Sequence, residues 1–173
     1  DAVIGVEDVD TIYSIPILLN DRGLDRIVTE KLHLQCPDAQ LDAWQQVVNA
    51  ALHPQQEVTI GLVGKYTDFS DTYKSLVEAL EHAAMQLKTK VKINYIAAQD
   101  ITSIDDKLLT QNDSILVPGG FGNRGTEGKI LAVEYARTSN TPFLGICLGM
   151  QLAVVEYSRN VLGLKQAHST EIN

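Results

Sequence analysis

The chain has 173 residues, 45% hydrophobic and 21% charged, with 14 Lys/Arg against 22 Asp/Glu and a formal net charge of −8. That suits one globular domain plus a smaller piece, and it points away from nucleic acid or an anionic membrane as a partner. No apolar run approaches the ~20 residues of a membrane span, and the two cysteines, Cys36 and Cys147, are too few for a disulfide framework.

Residues 1–57 carry ten Asp/Glu and three Lys/Arg, whereas residues 58–173 carry twelve and eleven, so a boundary is expected near residue 57. The first residues lack the basic start and apolar middle of a signal peptide. With no Met at its head, the chain is expected to be a fragment or a processed piece. Cysteine usage sets a reducing, cytoplasmic compartment as the default.

Residues 1–52 read as a mostly helical arm. Pro16 makes a helix there begin late or kink, and Gly23 is placed to close it. Leu24, Ile27, Val28 and Leu32 fall at helical spacing, as do Leu41, Trp44, Val48 and Ala51, with Trp44 as a packing anchor. His53-Pro54-Gln55-Gln56 reads as a polar linker. Cys36, followed by Pro37, reads as an inert core or loop residue.

From Val58 the grammar changes. Val58–Gly64 reads as a strand, and Ser70 is placed to cap a helix with Tyr73, Leu76, Val77, Leu80, Ala83, Ala84 and Leu87 on one stripe. His82 lies off that stripe and is expected to face solvent. Val91–Ile96 is a second strand, a short helix is expected near Ile104–Leu109, and Ser114–Val117 is a third strand. Helical pattern returns between Thr126 and Arg137, and Pro142–Ile146 is the fourth strand. Alternation of this kind implies a parallel sheet with helices on both faces and a site at the carboxyl ends of the strands.

Two glycine-rich turns follow strands and should share that edge. In Gly145-Ile146-Cys147-Leu148-Gly149 a cysteine stands between glycines at a strand-to-helix turn, the spacing of a nucleophile elbow. The glycines relieve crowding at the tip, the helix N-terminus favours a thiolate, and the Leu148 N–H is free to face an oxyanion. Pro118-Gly119-Gly120-Phe121-Gly122 offers bare backbone N–H groups, with Arg124 close by. Each turn alone also fits an ordinary strand exit. Together they point to a thiol active site.

The motifs Pro118-Gly119-Gly120-Phe121-Gly122-Asn123-Arg124-Gly125, Gly145-Ile146-Cys147-Leu148-Gly149-Met150-Gln151 and Ser169-Thr170-Glu171 resemble, in order, those of the CTP synthase family. Residues 58–173 are similar to the first part of that family's class I glutamine amidotransferase domain, a flavodoxin-like α/β fold that would be incomplete at its C-terminal end. Residues 1–57 would be the end of its ATP-dependent synthetase domain plus a linker, a likeness carried by Asp8-Val9, Ile12-Tyr13, Pro16, Leu18-Leu19 and Gly23-Leu24-Asp25.

The resemblance implies amination of UTP to CTP with ammonia from glutamine. Cys147 would be the nucleophile, and the N–H groups of Gly120 and Leu148 would hold the oxyanion. Gln151 and Glu171 would bind glutamine, and Glu7, Asp8 and Val9 would line the adenine pocket of ATP. GTP would act as an allosteric activator near Phe121 and Arg124. Mg2+ would be required, but no metal ligand is expected in this chain. The family forms homotetramers and needs neither nucleic acid nor membrane. Its thiol is served by a His and a Glu expected beyond Asn173, and His168 matches neither, so the chain alone is expected to be inactive. Two other readings stay open on the residues: a different cysteine hydrolase on this scaffold, or a non-catalytic interaction module.

Overall fold

The computed structural model of the chain describes residues 2–65, 70–120 and 122–172. Its contacts gather into two compact units, Asp1–Glu57 with Glu81–Lys90, and Val58–Leu80 with Val91–Asn173.

In the first unit a 3₁₀ turn, Ile12–Ser14, leads into α1 (Ile15–Asp21), followed by α2 (Leu24–Lys31) and α3 (Asp42–Leu52). Pro16 falls in the first turn of α1, where its missing N–H has no intrahelical acceptor to lose. Gly23 adopts φ +74° between α1 and α2, a left-handed link that glycine accepts at least strain. Trp44 is the expected anchor: its indole N–H donates to the Tyr13 carbonyl at 2.8 Å, and the two rings pack tilted. Val48 is buried in α3.

The expected spacing forms α2, in which Leu24 and Ile27 are half-buried and Val28 is exposed, while Leu32 caps its end and is exposed. His82 is exposed but does not simply face solvent, since its ring meets the Tyr13 hydroxyl at 2.8 Å. Cys36 is exposed in a stretch without regular structure, so of the two places expected for it the loop is the one it takes.

The second unit is built on a four-stranded sheet in the order β2-β1-β3-β4, formed by β1 (Gln56–Gly64), β2 (Thr89–Ala97), β3 (Ser114–Val117) and β4 (Phe143–Gly145). β1 runs parallel to β3 with Leu62 opposite Leu116, and β3 runs parallel to β4 with Val117 opposite Gly145. The paired residues are nearly all apolar, as a sheet covered on both faces requires. Alternation along the strands separates two cores. Val63, Ile115 and Val117 pack with Ala132 and Ala136 of α6 (Thr126–Thr138). Leu62 and Leu116 pack with Tyr73 and with Leu76, Val77 and Leu80 of α4 (Lys74–Gln86). A third cluster joins Ile130 of α6 to Leu148, Leu152 and Val155 of α7 (Leu148–Asn160). Between α6 and α7 the carboxylate of Glu156, 1% exposed, takes two N–H groups of Arg137 at 2.9 and 2.7 Å.

Local chemistry explains where elements start and stop. β1 begins two residues before Val58, inside the stretch expected as linker. The short helix expected at Ile104–Leu109 is instead one turn, α5 (Lys107–Thr110), because Asp106 caps it and accepts the Leu108 N–H at 3.0 Å. Leu87, expected on the α4 stripe, is exposed: the helix ends at Gln86 and Lys88 turns to φ +51°. The cap expected from the Ser70 side chain lies outside the described residues. Among the described residues, no helix is long and apolar enough to cross a membrane.

Candidate active site

Between β4 and α7 the chain turns at Cys147, whose backbone sits at φ +54° and ψ −109°. A residue with a β-carbon is strained there by about 1–3 kcal/mol, and such strain persists only where surrounding bonds fix the geometry. Here they do. The Ile146 N–H donates to the Val117 carbonyl at 3.0 Å, the Gly149 N–H to the Ile146 carbonyl at 2.9 Å, and the Gln151 N–H to the Cys147 carbonyl at 3.2 Å.

The glycines relieve crowding, as their positions suggest, but do not themselves take the unusual dihedrals. Neither Gly145 nor Gly149 has a positive φ. A β-carbon on Gly145 would stand 2.7 Å from the backbone of Gly149 and Met150, and one on Gly149 would stand 2.0 Å from the Val117 oxygen. They let α7 lie directly on the end of β3. The unusual dihedrals fall on the cysteine alone.

Cys147 is exposed. The exit of β3 runs alongside it, since a β-carbon on Gly119 would stand 3.3 Å from Cys147 Cβ and 3.8 Å from Sγ. Gly120 follows at φ +154°. Leu148 is the first residue of α7, so its N–H has no intrahelical acceptor, while its side chain is buried. Gly119, Gly120 and Ile146 line one side of a cleft of about 400 Å³, and Tyr73 and Leu76 line another. A larger hollow of about 540 Å³ lies in the first unit among Tyr13, Trp44, Val47 and Met85, without a cysteine or a carboxylate in its wall. Chemistry rather than size selects the cleft beside the thiol.

Gln151 and Glu171, twenty residues apart in the chain, come together through Ser169, which the sequence motif contained but which had no assigned role. The Ser169 hydroxyl donates to the Gln151 side-chain oxygen and accepts the Glu171 N–H at 3.2 Å. Ile172 then packs against the cluster that holds Leu148. The segment after α7 thus returns to the head of that helix, tied on the way by Arg159, whose Nε donates to the Ala167 carbonyl at 2.8 Å. The Glu171 side chain is exposed.

Two lysines complete the surroundings, and sequence reasoning passed over both. Lys65, at the end of β1, donates its ammonium to the Gly122 carbonyl, and its N–H reaches the Tyr73 hydroxyl at 3.2 Å. Arg124 donates to the Lys65 carbonyl at 2.7 Å. Burial, then the Arg124 charge, pushes the Lys65 ammonium below its ordinary range. Lys129 of α6 is 1% exposed, with Nζ 4.0 Å from where a β-carbon on Gly120 would stand. Burial, then the Lys65 charge, pushes it down to about 8. A signal was present, because Lys129 falls at helical spacing with the buried Ala132, Val133 and Ala136. Phe121 lies outside the described residues.

Glu7, Asp8 and Val9 belong to the first unit and have no regular structure. The Glu7 carboxylate pairs with Arg22. Among the described residues no three His, Cys, Asp or Glu side chains gather as a metal site would need. The described residues do not by themselves make a phosphate or metal site. Among the described residues no histidine is hydrogen-bonded to Cys147, and His168 is exposed.

Known proteins share this arrangement. The glutaminase domain of Trypanosoma brucei CTPS, solved with acivicin bound, is 44% identical with a TM-score of 0.61. The match covers 66% of this chain and 45% of that one, so the chain spans less than half the length of its relative. Residues 68–172, more than half of the chain and including both glycine turns, match the family described as glutamine amidotransferase class-I. The order of the strands, the elbow at Cys147 and that match agree, and the chain belongs to the class-I glutamine amidotransferase family.

Proposed function

We propose that this chain is the part of a CTP synthase that carries the nucleophile for glutamine hydrolysis. On this reading residues 1–57 close an ATP-dependent synthetase domain and residues 58–173 open the amidotransferase domain. The strained backbone of Cys147, laid against Gly119, carries the proposal. The packing of α7 on β3 needs close glycines, but it does not need a strained cysteine between them.

The Cys147 thiolate attacks the side-chain amide carbon of glutamine. A C–S bond forms, and the carbonyl electrons move onto oxygen, where the N–H groups of Gly120 and Leu148 hold them. The C–N bond then breaks, the nitrogen leaves as ammonia with the proton taken from the thiol, and water hydrolyses the glutamyl thioester to glutamate. Gln151 contacts the bound glutamine and Glu171 pairs with its α-ammonium group. On the likeness to a CTPS the general base would be a histidine supplied from outside residues 1–173, with little turnover by this chain alone.

The likeness to the glutaminase domain of a CTPS supports the rest of the proposal. Ammonia would serve the amination of UTP, and Glu7, Asp8 and Val9 would stand beside the adenine of a bound ATP. GTP would act near Phe121 and Arg124, in a cytoplasmic homotetramer.

The test is Cys147→Ser in the complete protein, with CTP formation followed from glutamine and from ammonium salt. A serine hydroxyl is nearly isosteric but far less nucleophilic than a thiolate at neutral pH. Synthesis from glutamine should vanish and synthesis from ammonium should survive. Equal loss with both nitrogen sources, or retained synthesis from glutamine, would refute the assignment.

A further inference from the structure

A lysine with its side chain 1% exposed is costly to the fold unless an acceptor or a carboxylate answers its charge. Lys129 has neither: among the described residues no acceptor is hydrogen-bonded to its ammonium. Thr126, three residues earlier on the same face of α6, has a fully buried hydroxyl without a partner, whereas the Lys129 ammonium is not fully shut off from water. Folding alone gives no reason to leave a cation there, since methionine would fill the space without the charge.

The ammonium lies close to the glycine turn. From Nζ to a β-carbon position on Gly120 is 4.0 Å, which places the charge within roughly 5.5 Å of the Gly120 α-carbon. We propose that Lys129 is a positioning residue for glutamine hydrolysis, its positive charge beside Gly120 adding to the hold of that turn on the oxyanion. The inference rests on the glutaminase reading and extends it to a group that contacts neither the substrate nor the thiol.

The charges around Lys129 leave it free to act in this way. Lys65 is the charge that acts on it, and it is a cation. On α7, Glu156 is held by Arg137 and Arg159 is paired with Glu127. The turn Ala98–Asp100 packs against α6, and its Asp100 is exposed. β3 and β4 carry no charged residue. With its pKa pushed down to about 8, Lys129 is charged at neutral pH and loses its proton just above it.

The sign for stability follows. The folded pKa lies below the ordinary 10.5, so the unfavourable charge is carried by the fold below about 8 and is relieved as pH rises toward 10.5. Removing it should therefore stabilise the protein while impairing catalysis.

The experiment compares wild type and Lys129→Met in the complete protein, following glutamine hydrolysis from pH 6 to 9.5 and thermal unfolding over the same range. Wild-type kcat should fall on an alkaline limb near pH 8. Lys129→Met should lower kcat at pH 7 on the order of 10- to 100-fold with KM little changed, and should lack that limb. Its melting temperature should rise by several degrees at pH 7, with the gain shrinking above pH 8. An unchanged kcat and pH profile would overturn the inference and leave the glutaminase reading intact, as would a change confined to KM. If Lys129→Met fails to fold, the wild-type profile still decides, because the absence of an alkaline limb overturns the proposal. Wild-type protein that does not hydrolyse glutamine would overturn both.

Discussion

Gly149→Ala tests whether the elbow depends on close packing. The new β-carbon would stand 2.0 Å from the Val117 oxygen, some 1.4 Å inside the 3.4 Å at which ordinary contact begins. The obstructing atom is backbone, so no rotamer change relieves the clash, and α7 must lift off β3. The Val117 oxygen is also the acceptor for the Ile146 N–H, so lifting the helix strains that bond too. Overpacking of about 1–3 kcal/mol and partial loss of one hydrogen bond, about 1 kcal/mol, give about 2–4 kcal/mol of destabilisation. Displacing the reacting group by ~1 Å costs about 10²-fold in rate. Two controls separate these effects. Gly128→Ala meets the Ala98 oxygen at 1.7 Å, a comparable clash on the other side of α6. Gly163→Ala meets nothing within 4 Å and bears only its φ of +74°, worth about 1 kcal/mol. The assay is glutamine hydrolysis by the complete protein well below each variant's melting temperature, with circular dichroism to establish folding. Gly149→Ala should lose about 10²-fold in kcat, while Gly128→Ala, equally destabilised, should keep most of it. Equal activities for the two would refute the claim that the elbow's position is what the close contact protects.

Two further outcomes are expected. Arg137→Ala strands the carboxylate of Glu156, 1% exposed, with only Asn160 still donating to it at 3.1 Å. It should destabilise the α6–α7 pair by about 3–5 kcal/mol, and adding Glu156→Leu should recover much of the loss in denaturant unfolding. Failure of the second change to recover stability would mean that the pair does more than satisfy itself. Glu171→Gln should weaken glutamine binding by about 1 kcal/mol, since the carboxylate is exposed, and spare ammonia-dependent CTP synthesis. An unchanged KM for glutamine would remove Glu171 from the site.

The sequence exposed the site's address more readily than its mechanics. Alternation of strand and helix patterns placed β3 at Ser114–Val117, where the structure has it, and marked Cys147 as the turn between β4 and α7. Periodicity reports which face a residue takes, however, and not which residue bears strain. It therefore marked Gly145 and Gly149 as the residues that relieve crowding, and gave no sign that the positive φ belongs to Cys147. Nor does a charged residue on an apolar stripe declare whether it will be buried. Lys129 shares its stripe with Ala132 and Ala136 and could have been read as a surface lysine. The link from Ser169 to Gln151 depends on the chain doubling back along α7, which no local pattern encodes.

The backbone of Cys147 has a consequence for how this protein can change. A glycine at 147 would adopt φ +54° without penalty, so the substitution that discards the thiol also relaxes the turn. For folding, the drift away from a nucleophile runs downhill. A lineage freed from the need to hydrolyse glutamine would gain stability by losing this cysteine, while Gly145 and Gly149, whose β-carbons would strike backbone, would remain fixed by packing. In such a descendant the elbow would outlast its chemistry, and the residue between the two glycines would be the one that records whether the site still works.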